Sequence, residues 1–131
     1  MKRFGLVLAF GLLLVASSYA QQNAPRFTGT SVVMEGKDLS VARRRFDARA
    51  RTFWHSHDTG QLLMVEDGRM RTQKKGGPIK ELGKGESDYT GPNVVHWHGA
   101  ASGQALVQIN VGFGGETKWM EKVSDADYNK K

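Results

Sequence analysis

Glycine cuts this chain into runs too short for helices. From residue 29 to residue 103 it recurs at Gly29, Gly36, Gly60, Gly68, Gly76-Gly77, Gly83, Gly85, Gly91, Gly99 and Gly103. The segments between are rich in Val, Leu, Phe, Trp and Thr, and none sustains a helical period. Short strands with turns at such spacing predict an all-β sandwich or barrel. Asp67-Gly68, between Leu62-Val65 and Arg69-Thr72, reads as a hairpin turn. Gly76-Gly77-Pro78 and Gly91-Pro92-Asn93 read as two more turns, and the polar tail from Asp125 as a short helix or a frayed end. No repeat or linker supports a second domain.

All four histidines stand in two pairs, His55-Ser56-His57 and His96-Trp97-His98. Residues two apart share one face of a strand, so each pair projects to one side. On the strand after the first pair, Gln61, Leu63 and Val65 share a face whose apolar members mark it as inward. Two strands thus offer imidazole pairs to one interior. Neutral imidazole is the commonest protein metal ligand, and H-x-H on a strand is a chelating spacing. The competing reading is histidine packing on adjacent strands. Trp54, Trp97 and Trp119 read as packing between sheets or at a dimer interface, and Met64, Met70 and Met120 as core filling.

The first twenty residues carry a different signal. Lys2 and Arg3 precede an apolar run from Phe4 to Ala16, followed by Ser18-Tyr19-Ala20. These are the three parts of a secretory signal peptide. The apolar run is shorter than the roughly 20 residues a spanning helix needs, so no stable membrane anchor is expected. Cleavage after Ala20 leaves a domain from residue 21 to residue 131 in the periplasm or outside the cell. The chain has no cysteine, so packing, a metal or oligomerisation must supply what disulfides supply elsewhere. Without Lys2 and Arg3 the formal charge falls from +6 to +4. The Arg43-Arg44-Arg45 run reads as the face of a strand rather than a nucleic-acid patch, and no nucleic-acid partner is expected.

The histidine spacing resembles the cupin pattern. In G-x5-H-x-H-x3-E-x6-G, His55 and His57 fit the histidines, Gln61 stands at the glutamate and Gly68 at the closing glycine. In G-x5-P-x-G-x2-H-x3-N, Gly85 fits the first glycine and His96 the histidine. Arg49, Gly91, Asn93 and Ala100 depart from it. The resemblance implies an all-β cupin jelly-roll barrel, one domain, with a metal on His55, His57, Gln61 and His96.

A narrower resemblance rests on Phe27-Thr28-Gly29-Thr30, Ala50-Arg51-Thr52, Gly60-Gln61, His96-Trp97-His98-Gly99-Ala100-Ala101 and Trp119 to Asp125. These segments are similar to a group of bacterial cupins that includes the manganese-dependent hydroxynitrile lyases. Gln in place of the Glu ligand is a feature of that group. It implies one divalent transition metal: Mn first, with Fe, Co, Ni or Zn as alternatives. Three imidazoles and an amide leave the ion's charge uncompensated and its Lewis acidity high. His98 is then placed to act as general base, and Gln108 stands where the lyases carry a second pocket histidine. Arg44 replaces a small apolar residue. A small-molecule substrate and a homodimer are expected. Three functions stay open: a lyase on cyanohydrins or related hydroxy and carbonyl compounds, a metal-dependent dioxygenase or other oxidoreductase, and a non-catalytic binding cupin.

Overall fold

The computed structural model describes Thr28 and residues 30–131, so the signal-peptide segment lies outside the described residues. Two units divide at Glu35, and all the described strands belong to the one from Gly36 onward. That unit is almost entirely β: β1 (Ser40–Phe46), β2 (His55–His57), β3 (Gln61–Lys74), β4 (Ile79–Gly83), β5 (Ser87–Thr90), β6 (His96–Ala100), β7 (Leu106–Gly112) and β8 (Thr117–Trp119). One four-residue helix, α1 (Asp125–Tyr128), follows, with Ser124 accepting the Asp127 amide at its N-cap. The strands join antiparallel in the order β1-β7-β3-β6-β2-β8, with β4 and β5 also on β3, and the sheet curls into a half-barrel, as expected of a jelly roll.

The curl depends on β3. Its first half, from Gln61 to Gly68, pairs with β7 and β5, and its second half, from Arg69 to Lys74, pairs with β6 and β4. The register slips between Val65 and Asp67. The hairpin expected at Asp67-Gly68 is therefore a bulge in a continuous strand. Gly68 does take the left-handed backbone that the turn reading required, with φ +81°. The chain spends that conformation on bending a long strand between two sets of partners, which a local sequence signal cannot distinguish from reversal. The other turns stand as expected: Gly77 N–H donates to Lys74 O at 2.8 Å, and Asn93 takes φ +58°.

Strand parity sorts the side chains into two apolar groups. Leu63, Val65, Met70, Ala100 and Leu106 pack inside the curl, with Phe46 and Leu82 against them. On the other side of β6, Trp97 packs with Trp54, Val123 and Tyr128. The Tyr128 hydroxyl donates to Ala100 O at 2.8 Å, and the Arg49, Arg51 and Arg71 guanidinium carbons lie 5.2, 4.5 and 5.3 Å from its ring. The C-terminal helix thereby clamps the outside of the strand that carries His96 and His98. Met64 and Trp119 are exposed, so only part of the Met and Trp set fills the core.

A Cβ on Gly68 would stand 1.9 Å from Ala105 O, besides facing the positive φ. Gly68→Ala should destabilise the protein by about 2 kcal/mol or more in urea unfolding followed by tryptophan fluorescence. An unchanged midpoint would show that the bulge does not hold the bend.

Candidate metal centre

The pairing of β2 with β6 sets His55 directly opposite His96. Both strands turn alternate residues inward, so the two H-x-H pairs converge. His55 and His96 ring centroids lie 4.2 Å apart, His55 and His57 5.0 Å, His57 and His96 5.5 Å, and His55 and His98 5.4 Å. One ring nitrogen from each of His55, His96 and His98 falls within 4.8 Å of the other two. Three histidines are thus positioned for a metal. Gln61, at the start of β3, places Oε1 3.3 Å from His96 Nε2.

Hydrogen bonds around the rings decide which nitrogens are free. His55 Nδ1 lies 2.9 Å from Phe53 O, and His96 Nδ1 lies 3.0 Å from Val94 O. A carbonyl only accepts, so both rings carry hydrogen on Nδ1 and a lone pair on Nε2. His57 Nδ1 lies 3.0 Å from Thr117 Oγ1, supplied by the residue opposite it on β8. Its Nε2 is buried with no partner. In this orientation of the Gln61 amide, His96 Nε2 and Gln61 Oε1 face each other as two acceptors. An orphaned buried nitrogen and two opposed acceptors suit a cation, and the donor set fits a divalent ion.

His98 differs. Its Nδ1 lies 3.1 Å from Gln108 Nε2, whose amide also donates to Asn110 Oδ1 at 2.6 Å. In this orientation His98 accepts at Nδ1 and carries its hydrogen on Nε2, the opposite tautomer to His55 and His96. Reversing both amides keeps the same distances and reverses the tautomer. Phe46 meets the His98 ring edge-on at 5.9 Å. The HWHG stretch also needs its glycine. The segment from Ala50 to Thr52 crosses β6 so closely that a Cβ on Gly99 would stand 2.3 Å from Ala50 O, and Thr52 N–H donates to His98 O.

A cavity of about 750 Å³ opens over the cluster. His55, His57, Gln61, His98 and Asn110 line it, with Arg44 and Phe46 from β1 and Phe53 and Trp119 nearer the mouth. Trp119 lies 4.7 Å from the His55 ring, yet the tryptophan is 62% exposed. All six residues singled out from sequence thus meet at one place: His55, His57, Gln61, His96, His98 and Gln108. Missed were Thr117, the Phe53 and Val94 carbonyls and Phe46. The carbonyls lie two residues before the histidines they orient, a spacing that could have flagged them.

A cupin domain match extends over residues 43–112. The chain belongs to the cupin family. It is similar to the (R)-mandelonitrile lyase of Granulicella tundricola, 36% identical over 88 residues, covering 65% of this chain and 67% of that one. Among solved structures, a cupin-like protein from Thermotoga maritima is 39% identical with TM-score 0.68, covering 70% of this chain and 71% of that one. The dimethylsulfoniopropionate (DMSP) lyase DddQ of Ruegeria pomeroyi, 13% identical with TM-score 0.58 over 67% of this cupin and 46% of its own chain, shares the fold alone.

Burial keeps the imidazoles of this cupin neutral. It pushes His55 and His96 down to about 4, assisted at His55 by repulsion from His96, and opposed in both by a backbone carbonyl bond. Burial lowers His57 too, and lowers His98 strongly. The folded state thus binds fewer protons than the unfolded state between the ordinary value of 6.5 and about 4. Stability of metal-free protein should be full above pH 6.5 and fall by a few kcal/mol as pH drops through that window. Thermal melts of chelator-treated protein at about pH 7 and pH 5 measure this; equal melting temperatures would mean the rings are hydrated.

Proposed function

We propose that this cupin is an exported metal-dependent lyase acting on cyanohydrins or related hydroxy and carbonyl compounds, with one divalent ion on His55, His57 and His96 Nε2 and Gln61 Oε1. The tautomers carry the ligand assignment: three histidines bond an oxygen through Nδ1 and turn Nε2 inward, whereas His98 is engaged through Nδ1 by an amide. Mn is the first expectation for that ion, on the resemblance to the manganese-dependent hydroxynitrile lyases. Such an ion, held by four neutral donors, supplies Lewis acidity toward a hydroxyl, carbonyl or cyanide ligand.

The chain's own groups do the rest. His98 Nε2 takes the hydroxyl proton of a cyanohydrin as the C=O bond forms. The bond to the nitrile carbon breaks, and cyanide leaves with the electron pair and recovers the proton. For His98 to accept there, Nδ1 must carry the hydrogen, and Gln108 must turn Oε1 toward it. In the orientation seen, His98 Nε2–H would instead donate to a bound oxygen. Gln108 therefore sets the direction of proton movement without titrating itself. Phe46, Phe53 and Trp119 supply apolar walls that exclude water from a bound ring or chain.

Gln108 also favours a second reading. A site with an amide where the similar lyases carry a histidine suits a binding cupin that holds metal and ligand without turnover. Export through residues 1–20, and pairing of two copies through the outer edge of β1, belong to the same proposal in either case.

Elemental analysis of protein starting at Gln21, purified without chelator or histidine tag, tests the site. We expect near one equivalent of a transition metal, lost in His57→Ala and kept in His98→Ala. Benzaldehyde release from mandelonitrile should fall at least 100-fold in His98→Ala. Metal lost in His98→Ala but kept in His57→Ala would move the ligand set to His55, His96 and His98. Metal without turnover would leave the binding reading.

A further inference from the structure

Three arginines stand side by side on β1, and they are not equivalent. Arg43 and Arg45 turn away from the cavity and each has a carboxylate, Glu66 and Asp47 respectively. Arg44, between them, lines the cavity with Ser40, Ala42 and Phe46, the other residues on its face of the strand. It has no hydrogen-bond or ion-pair partner among the described residues. Its register partner on β7 is Gln108, which bonds His98, and Phe46 two residues on packs against the same His98 ring. The guanidinium therefore springs from the wall at the depth of His98.

The rest of the lining does not neutralise it. The second arginine there, Arg51, is held by Asp125 and the Val123 carbonyl. The one carboxylate in the lining, Asp38, lies just before the far end of β1, near Gly114. An unpaired guanidinium beside an apolar wall is a fork for a carboxylate, which it binds through two parallel N–H···O bonds.

We propose that Arg44 makes the cavity select anions: within the hydroxy and carbonyl compounds proposed above, those bearing a carboxylate, whose charged end pairs with Arg44 while the hydroxyl or carbonyl oxygen faces the histidines. The oxygen's place rests on the metal reading; the carboxylate's place does not. Arg44 thus determines specificity, and a neutral cyanohydrin lacks half of the contacts.

Calorimetric titration of metal-loaded protein with mandelate and with mandelamide, which differ by that charge, is the test. Wild type should bind mandelate at least ~10-fold tighter, with a preference that shrinks as salt rises. Arg44→Leu should cut the preference at least ~10-fold, to what the ion alone supplies, with metal content unchanged, and Arg44→Lys should restore part of it. Equal affinities in wild type, or a preference that Arg44→Leu leaves unchanged, overturn the proposal. If wild type holds no metal, the metal reading fails by itself, and the same titrations on metal-free protein still decide the role of Arg44.

Discussion

The antiparallel pairing of β2 with β6 is the constraint on which the site depends. It sets His55 opposite His96 and, because parity is fixed along a strand, carries His57 and His98 to the same interior. A slip of one residue in β2 would turn His55 and His57 outward and Trp54 inward. Both tryptophans are locked outside the curl by Val123 and Tyr128, so the outer cluster enforces the register of the inner one. Four polar rings are held close together only because an apolar group on the opposite face gains from the same pairing.

That arrangement has an electrostatic consequence. Three buried imidazoles, with the half-buried His57 beside them, repel one another when charged, and burial alone disfavours the charge. The rings are therefore held neutral, and backbone carbonyls that cannot titrate aim the lone pairs of His55 and His96. A carboxylate at the Gln61 position would attract protons to the imidazoles and partly neutralise an ion. The amide does neither, leaving a polar cavity whose charge is set by whatever enters it.

Much of this was legible in the sequence, and the gaps have physical causes. Parity along short strands fixed which residues face inward, and the two H-x-H pairs marked the centre. Asp67-Gly68 was misread because a positive φ serves a turn and a bulge alike, and only the partners of β3 tell them apart. Arg49 departs from the cupin glycine yet keeps its backbone, with φ +67°. A non-glycine residue there costs about 1 kcal/mol or more. Its amide bond to Ala101 O and its guanidinium over the Tyr128 ring help to offset that cost, and no local pattern announces either contact. Thr117 was invisible for the same reason, since its role comes from pairing with β2 across sixty residues of chain.

Gln108 and Arg44 are best understood together. They face each other across β1 and β7 at one depth of the barrel, beside His98. A histidine at 108 would compete with His98 for protons and, when charged, repel a guanidinium at 44. A glutamine tolerates the guanidinium and ties the His98 tautomer to its own amide orientation. An amide at 108 and a fixed positive charge at 44 are thus compatible in one layer. On the proposed reading, one imidazole, His98, acts beside an anion anchored on Arg44.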